Sequence, residues 1–289
     1  MVAQGSSQSS FLRARVSFGR TVRYLGHQPS PAMNRLSACV ITLNEERNLP
    51  RLLESLRGIA DEIVIVDSGS TDRTGEIARE HEARLEFRRW THYGEQKNHA
   101  AAIATSDWVL SLDADEVLSS RLQSALLDWK KRTPRFDVYE VARRTCYLGE
   151  WIRHSGWYPD FKKRLYRKGT AEFAGSLHES LQYEGVCGRL AGDLLHYTIH
   201  EFAEHEANVE KYSTLAARQM YQHGKRHWRG ALLLATPWSF FHTYIVRLGF
   251  LDGYRGILIA RMAAKTVRLK YAKLGQLLAA ERKPGERPK

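Results

Sequence analysis

From residue 37 onward the chain alternates between short apolar runs and segments with helical spacing, and this alternation restricts the fold more than any other feature. The runs SACVITL (37–43), DEIVIVDSG (61–69) and DWVLSLDAD (107–115) are apolar and rich in β-branched residues. Between the first two lies NLPRLLESLRG (48–58), which has helical spacing and ends at a glycine. Strands that alternate with helices of this length form βαβ units. The sequence therefore predicts an α/β fold with a mostly parallel, Rossmann-like sheet flanked by helices.

The remaining elements follow from the same patterns, although their texture changes after residue 135. Ser70 or Thr71 is expected to cap the second helix. Further helices are predicted over Thr71–His81, 95–105, 117–132 and much of 201–276, and further strands over 84–90, 136–144, 162–168 and 188–199.

The 289 residues are enough for one large α/β domain with a smaller appended region. We expect residues 1–35 to form a basic, disordered N-terminal extension. Residues 36–200 would form the α/β domain, and residues 201–289 a helical, basic C-terminal region associated with a membrane. Met33 stands just before the first predicted strand and is a candidate for the true start.

The excess positive charge lies at the two ends of the chain. Of the net charge of +12, residues 1–36 supply five arginines and no acids, whereas 37–260 is neutral. A nucleic-acid binder more often carries its charge on the folded face, so no nucleic-acid partner is expected. Basic ends suggest attraction to an anionic membrane surface. Solvated, partly disordered tails are the alternative.

The stretch ALLLATPWSFFHTYIV (231–246) is apolar but contains Pro237 and His242, so we predict an interfacial anchor rather than a membrane span. Helices that merely cover the main domain are the alternative. Three widely spaced cysteines favour a reducing compartment. Together these features predict a cytoplasmic protein bound peripherally to the inner membrane.

The central chemical feature is Asp113-Ala114-Asp115, directly after the apolar run WVLSL. Strand residues two apart face the same way, so Asp113 and Asp115 can converge at the sheet edge. Paired carboxylates with open positions suit Mg²⁺ or Mn²⁺, which also bind substrate phosphates. The sequence therefore predicts a divalent metal cofactor held by Asp113 and Asp115. A solvated surface turn is the alternative.

Two other polar segments follow predicted strands. Asp67 ends a buried strand, and DSGSTD (67–72) allows a tight turn into a helix whose N-terminus can support a phosphate. The segment TLNEE (42–46) follows the first strand. Because ligands of parallel sheets bind at the carboxyl ends of the strands, both segments would border one crevice.

Other enzyme classes are disfavoured. The chain has no G-x-G-x-x-G after its first strand, no phosphate-binding G-x-x-x-x-G-K-[ST], and no C-x-x-C pair. HEFAEH (200–205) differs from the zinc-protease motif because Glu204 stands where the second histidine is required.

The set ITLNEERNL, DEIVIVDSGSTDRT, QKNHA and DWVLSLDADE resembles the family 2 glycosyltransferases of the GT-A fold. More narrowly, YLGEWIRHSGWYPD, KKRLYRKG, LHES and GFLDGYRG resemble the bacterial lipopolysaccharide core β-1,4-glucosyltransferases. The likeness covers roughly residues 36–275. It implies a nucleotide-sugar donor, with UDP-glucose as the preferred candidate, and a lipid-linked oligosaccharide acceptor of the lipopolysaccharide inner core.

The resemblance also implies roles for individual residues. Asp115 would be the main metal ligand, and Asp113 would lie near both ribose and metal. Binding of the nucleotide sugar is expected from Thr42, Asn44, Glu45, Asp67, Ser68, Gln96, Asn98 and Asp113.

Charge dictates the mechanism of such a transfer. Cleavage leaves negative charge on the diphosphate, and a metal stabilises that charge. An acceptor hydroxyl then attacks from the opposite face and loses its proton to a carboxylate, which inverts the anomeric configuration. Glu179 is the preferred base and Asp160 the second candidate. His178 could assist the metal or the diphosphate.

Two other functions are compatible with the sequence. One is a polyprenyl-phosphate or other cell-envelope glycan glycosyltransferase, which would share the donor and differ in the acceptor. The other is a non-catalytic, nucleotide-sugar-binding membrane module, against which the intact acids 67, 113 and 115 argue.

Overall fold

The computed structural model describes residues 33–175 and 179–281. The strands are β1 Leu36–Thr42, β2 Glu62–Asp67, β3 Arg84–Phe87, β4 Trp108–Asp113, β5 Glu116–Leu118, β6 Val138–Tyr147, β7 Glu150–Trp151, β8 Asp160–Arg167, β9 Ala171–Ala174, β10 Ser180–Tyr183 and β11 Cys187–Ile199. The helices are α1 Leu49–Leu56, α2 Thr74–Glu80, α3 Tyr93–Ile103, α4 Ser120–Lys130, α5 Phe202–Gln222, α6 Arg229–Phe241 and α7 Gly253–Glu281. A π-helical turn (His242–Val246) and a 3₁₀ turn (Gly249–Asp252) join α6 to α7.

The main sheet has the order β3-β2-β1-β4-β8-β6-β11-β5, and β7 pairs with β6. Strands β3, β2, β1 and β4 are parallel, whereas β8 runs antiparallel to both β4 and β6. The predicted α/β class, with helices flanking a Rossmann-like sheet, is confirmed. In the parallel part, Thr42 pairs with Asp67 and Ile41 with Asp113. The register therefore brings the predicted site residues to one edge.

Strand β1 is buried along its whole length because helices cover both faces of the sheet. Its alternating side chains enter two different cores. Leu36, Ala38 and Val40 pack in the cluster that contains the apolar side of α1. Cys39 and Ile41 pack with Val64, Val66 and Ala100 in a second cluster on the α3 side.

The segment 117–132 was predicted as one helix, which is wrong at its start. Strand β5 occupies Glu116–Leu118 and pairs antiparallel with β11, where Leu118 lies opposite Leu194. The helix begins only at Ser120, after the Ser119 side chain accepts a hydrogen bond from Leu122 N. A partner strand more than 70 residues away decides this pairing, so local periodicity could not reveal it.

The second helix begins at Thr74 rather than at Thr71. Neither predicted cap is used, because the Ser70 hydroxyl donates to Asp67 and the Thr71 amide donates to the side chain of Asn44. Asp72 accepts from Thr74 N at 3.0 Å instead. The two turns after β1 and β2 are thus tied to each other.

The C-terminal helices pack against one another and on the sheet. Helices α5 and α6 both contact α7, and Gly275 of α7 admits the Trp228 ring, since a Cβ there would lie 2.8 Å from it. The buried Asp252 carboxylate accepts from the amide of His154 and from the hydroxyl of Ser155, which ties the 3₁₀ turn to the loop after β7. The boundary predicted at residue 200 stays a prediction, and packing contacts cross it.

In the described residues, no helix is both long enough and apolar enough to span a bilayer. The predicted N-terminal extension lies outside the described residues, apart from residues 33–35.

Candidate active site

A pocket of about 690 Å³ lies at the carboxyl ends of β1 and β4. We call it the acidic pocket; it is lined by Ile41, Thr42, Leu43, Glu45, Trp90, Tyr93, Asp113, Ala114, Asp115, Arg143, His196 and Tyr212. Its size suits a small ligand or cofactor. The two acids predicted to converge do line one pocket. Thr42, which also lines it, donates its hydroxyl to Asp67 Oδ1 at 2.9 Å.

Asp113 ends β4 and both of its oxygens contact cations. Lys97 Nζ lies 2.9 Å from Oδ1, and Arg164 Nη2 lies 2.6 Å from Oδ2. Burial alone would raise the pKa of Asp113, but the charges of Arg164 and Lys97 outweigh it and hold the pKa far below the usual range. Asp113 is therefore a fixed carboxylate whose oxygens are already engaged.

These contacts belong to a longer series of alternating charges, which we call the ionic chain. It runs Glu179–Lys97–Asp113–Arg164–Glu116–Arg143–Asp160–Lys162. Its middle is buried, because Lys97, Arg164 and Glu116 are 3%, 4% and 0% exposed. Buried charges are tolerated only when they are paired in this way.

Asp115 has a different environment, because within residues 33–175 and 179–281 its only ionic contact is with a histidine. Asp115 Oδ2 lies 3.1 Å from His196 Nε2, and both side chains line the acidic pocket. His196 Nδ1 is buried without a hydrogen-bond partner in the described residues. Asp115 and His196 can thus present an oxygen and a nitrogen to a ligand in the pocket.

Asp115 and His196 could supply two ligands of a divalent cation. Within residues 33–175 and 179–281, no group of three or more His, Cys, Asp or Glu side chains could hold a metal ion alone. Mg²⁺ commonly takes one or two protein carboxylates and fills its shell with substrate phosphates and water. Asp115 is free for this role. Asp113, the other predicted ligand, would first have to release a cation.

The Asp67 carboxylate is used to build its turn. Its Oδ1 accepts from Thr42 and Ser70 hydroxyls, and its Oδ2 from the amides of Gly69 at 2.9 Å and Ser70 at 2.8 Å. Burial would raise the pKa of Asp67, but these hydrogen bonds lower it overall. Asp67 borders a neighbouring pocket of about 700 Å³ rather than the acidic pocket. Ser68 accompanies it and donates its amide to Thr42 O at 3.0 Å.

The turn after β1 presents Glu45 to the acidic pocket. Asn44 has a left-handed φ of 57° and accepts from Thr71 N, which holds this turn on the Asp67 turn. Burial raises the pKa of Glu45, and the nearby Asp115, Asp72 and Asp113 add to this, while a hydrogen bond from Asn48 opposes it. Glu45 would therefore respond to any cation that enters the pocket.

Gln96 and Asn98 do not line the acidic pocket. Gln96 is fully buried and donates to the carbonyls of Arg88 and Arg89. The side-chain NH₂ group of Asn98 donates to Phe173 O, and its Oδ1 accepts from Phe173 N. Both fix neighbouring backbone, and their role in nucleotide binding stays a prediction.

Comparison with known proteins identifies the family. Residues 37–180 match the model of glycosyl transferase family 2. The lipopolysaccharide core biosynthesis glycosyltransferase LpsC of Rhizobium meliloti (strain 1021) is 32% identical over 257 residues, which are 86% of this chain and 95% of LpsC. The chain belongs to glycosyl transferase family 2. It is therefore a transferase of sugars, with a relative that acts in lipopolysaccharide core biosynthesis.

Two solved structures are more distantly similar to this family 2 chain. S. aureus TarS 1-349 aligns with a TM-score of 0.41 and 16% identity, over 85% of this chain and 92% of that one. Glucosyl-3-phosphoglycerate synthase from Mycobacterium tuberculosis, in complex with Mn²⁺, UDP and glucosyl-3-phosphoglycerate, gives 0.33 and 22%, over 40% and 45% of the chains.

The two candidate bases of this glycosyltransferase lie at opposite ends of the ionic chain. Glu179 contacts Lys97 at 2.9 Å, and Asp160 contacts Arg143 at 2.8 Å and Lys162 at 3.0 Å. Burial would raise the pKa of Asp160, but Arg143 and Lys162 lower it. Neither carboxylate lines the acidic pocket. Lys97 joins Glu179 to Asp113, which does line it, and Asp160 contacts Arg143, which lines it as well. His178 lies outside the described residues.

The basic side chains that contact the acids of the site were not predicted from the sequence. Lys97 is inside the QKN motif, and Arg164 is inside KKRLYRK, where β-strand alternation places it on the face opposite Leu165. His196 stands in β11, 80 residues beyond Glu116, its partner across the sheet. For Arg164 and His196, the available signal was a charged or titratable side chain inside a predicted strand.

Acid should destabilise the protein through these carboxylates. Asp113, Asp67 and Asp160 all have pKa values below the ordinary value near 4, so their contribution is fully present above about pH 4 and is lost as pH falls further. Glu45 acts in the opposite direction. We expect the unfolding free energy from urea titrations to fall steeply below about pH 4, and less steeply in Asp67→Asn. Equal slopes in both proteins would contradict this account.

Proposed function

We propose that this family 2 glycosyltransferase is an inverting enzyme that moves a hexose from a UDP-sugar to an inner-core lipopolysaccharide acceptor. Glucose is the preferred hexose. The observation that carries the proposal is the pair Asp115–His196 in the acidic pocket, beside the fixed Asp113. Similarity to LpsC over nearly the whole of both chains supports the acceptor class. The resemblance of residues 36–275 to the core glucosyltransferases supports the donor.

In this proposal Asp115 and His196 would hold a divalent cation, Mg²⁺ or Mn²⁺. When bound, such a cation stabilises the negative charge that develops on the departing diphosphate. Lys97 and Arg164 fix Asp113 as a carboxylate, and in this proposal it would lie near the ribose and the metal. The turn Thr42–Glu45 and the Asp67 turn would border the nucleoside.

Glu179 is the preferred base in this mechanism. One ammonium group, Lys97 Nζ, contacts both Asp113 and Glu179 at 2.9 Å, so the candidate base lies one cation away from Asp113. A carboxylate at this place can accept the proton of the attacking acceptor hydroxyl.

A donor screen tests the proposal directly. Thermal unfolding is measured with Mn²⁺ and a panel of nucleotide sugars, and UDP-glucose is expected to raise the midpoint only when the metal is present. Absence of any shift, with every donor and with or without metal, would favour a non-catalytic module.

The choice of base is tested by two isosteric substitutions. We expect Glu179→Gln to lower kcat by about 10²- to 10⁴-fold with an unchanged KM for the donor, because general-base catalysis contributes about this much. Asp160→Asn serves as the matched variant at the other end of the ionic chain and should retain more activity. The reverse ranking, with both variants folded by circular dichroism, would assign the base to Asp160.

The proposal includes peripheral binding to the anionic inner face of the membrane. Helix α6 has no buried residue, and Leu233, Leu234 and Trp238 are 74%, 75% and 58% exposed. Exposed apolar patches of this kind mark interaction surfaces. Basic side chains next to them would add electrostatic attraction to anionic lipid.

Vesicle sedimentation tests this surface. We expect binding to vesicles with anionic lipid, weaker binding in high salt, and a loss of at least about fivefold in Leu233→Ser/Trp238→Ser, because apolar area and charge both contribute. Val186→Ser is the control, since Val186 is 72% exposed in the turn between β10 and β11. Binding that ignores salt, anionic lipid and the α6 substitutions would contradict the proposal.

A further inference from the structure

Three aromatic side chains meet at the acidic pocket although they are substantially exposed. Trp90, Tyr93 and Tyr212 are 41%, 48% and 51% exposed, and all three line the pocket. The Trp90 and Tyr93 rings are edge-to-face, with centroids 4.8 Å apart. Single exposed aromatic residues are ordinary, but three that converge on one concave site form a shared aromatic surface.

Hydrogen bonds anchor the segments that carry these rings. The segment that carries Trp90 is fixed by the buried Gln96, whose amide donates to Arg88 O at 3.2 Å and to Arg89 O at 3.0 Å. Tyr93 is the first residue of α3. Tyr212 belongs to α5, which Lys273 of α7 anchors through a hydrogen bond to Ser213. The backbone that carries the three rings is therefore anchored.

The chemistry of this surface suits a sugar ring. A pyranose has an apolar face of C–H groups that packs on aromatic rings, and hydroxyl groups that bond to carboxylates. Glu45 and Asp115 provide such carboxylates in the same pocket. Burial, together with the nearby Tyr212, Asp113 and Glu179, raises the pKa of the Tyr93 hydroxyl.

We propose that Trp90, Tyr93 and Tyr212 form the subsite for the acceptor sugar, and that they present its hydroxyl to the reacting centre. The inference rests on the proposed glycosyltransferase function and adds specificity-determining residues to it. We assign the nucleoside to the side of the Thr42–Glu45 turn that faces the Asp67 turn, where Asp67 and the exposed Phe87 line the neighbouring pocket. Tyr212 also makes the C-terminal helical region part of the site.

The test separates acceptor binding from donor binding. Two rates are measured for Trp90→Ala and Tyr212→Ala: release of UDP from UDP-glucose without acceptor, and transfer to deacylated lipopolysaccharide from a strain that lacks this gene. We expect the KM for the oligosaccharide to rise at least about tenfold, while the UDP-release rate and the donor KM change less than about twofold. Tyr212→Phe keeps the ring and should stay close to the wild type.

Tyr254→Ala is the matched control, because it removes an aromatic ring that is 67% exposed and does not line the acidic pocket. Alanine variants that raise the donor KM and leave the oligosaccharide KM unchanged would overturn the inference and place the rings against the nucleotide. A wild-type protein that neither releases UDP nor binds any nucleotide sugar would instead remove the proposed function, and this subsite with it.

Discussion

Replacing Asp115 by asparagine is expected to lower kcat by about 10³-fold or more, which corresponds to roughly 4 kcal/mol of lost transition-state stabilisation. Among the described residues His196 is the only ionic partner of Asp115, so this pocket carboxylate is an oxygen donor available to a cation. The amide keeps the shape of the side chain and removes its charge. Because the pair is partly exposed, the unfolding free energy should change by less than about 1 kcal/mol.

Transfer rates with saturating Mn²⁺ and UDP-glucose, compared with urea titrations, would measure both effects. Asp107→Asn is the control, since Asp107 is exposed just before β4. If Asp115→Asn retained full turnover, the acidic pocket would not hold the metal proposed for it.

Arg164→Met is expected to cost about 3–5 kcal/mol of unfolding free energy. Arg164 is 4% exposed and contacts both Asp113 and the fully buried Glu116, so its removal leaves two carboxylates without their main partner. Breaking a buried pair on one side carries a cost of this size, because an uncompensated charge remains inside. Activity should fall as well, since Asp113 would lose the contact that fixes it.

Urea titration at neutral pH would measure this cost. Arg57→Met is the matched control, because the Arg57–Glu54 pair is 82% and 64% exposed and should contribute less than about 0.5 kcal/mol. Arg164→Lys keeps the charge but cannot reach both carboxylates in the same way, so an intermediate loss is expected. Equal stability of Arg164→Met and Arg57→Met would show that the ionic chain does not stabilise the fold.

The parallel half of the sheet could be predicted because its signals are local. Strands β1, β2 and β4 are apolar runs followed by turn residues, and each helix between them has its own periodicity. Strand β5 could not be predicted in this way, since its pairing with β11 depends on residues far along the chain. The first residue of α2 was missed because Asn44, on another turn, binds Thr71.

The acids of the site were accessible from sequence for the same reason. Asp113 and Asp115 follow a buried strand, and parallel strands place such residues at one edge. Their partners were not accessible, because Lys97, Arg164 and His196 come from α3, β8 and β11, three separate elements. Only the folded chain shows that Asp113 is held by two cations whereas Asp115 is open to the pocket.

The most direct test is transfer to the accumulated acceptor. Purified protein is incubated with UDP-glucose, Mn²⁺ and lipopolysaccharide from a strain that lacks this gene, and the core is analysed by mass spectrometry. We expect the core to gain one hexose and one UDP to be released for each hexose transferred. Both should be lost when a chelator removes the metal. No hexose gained from any nucleotide sugar in a panel, with or without metal, would contradict the proposed transfer.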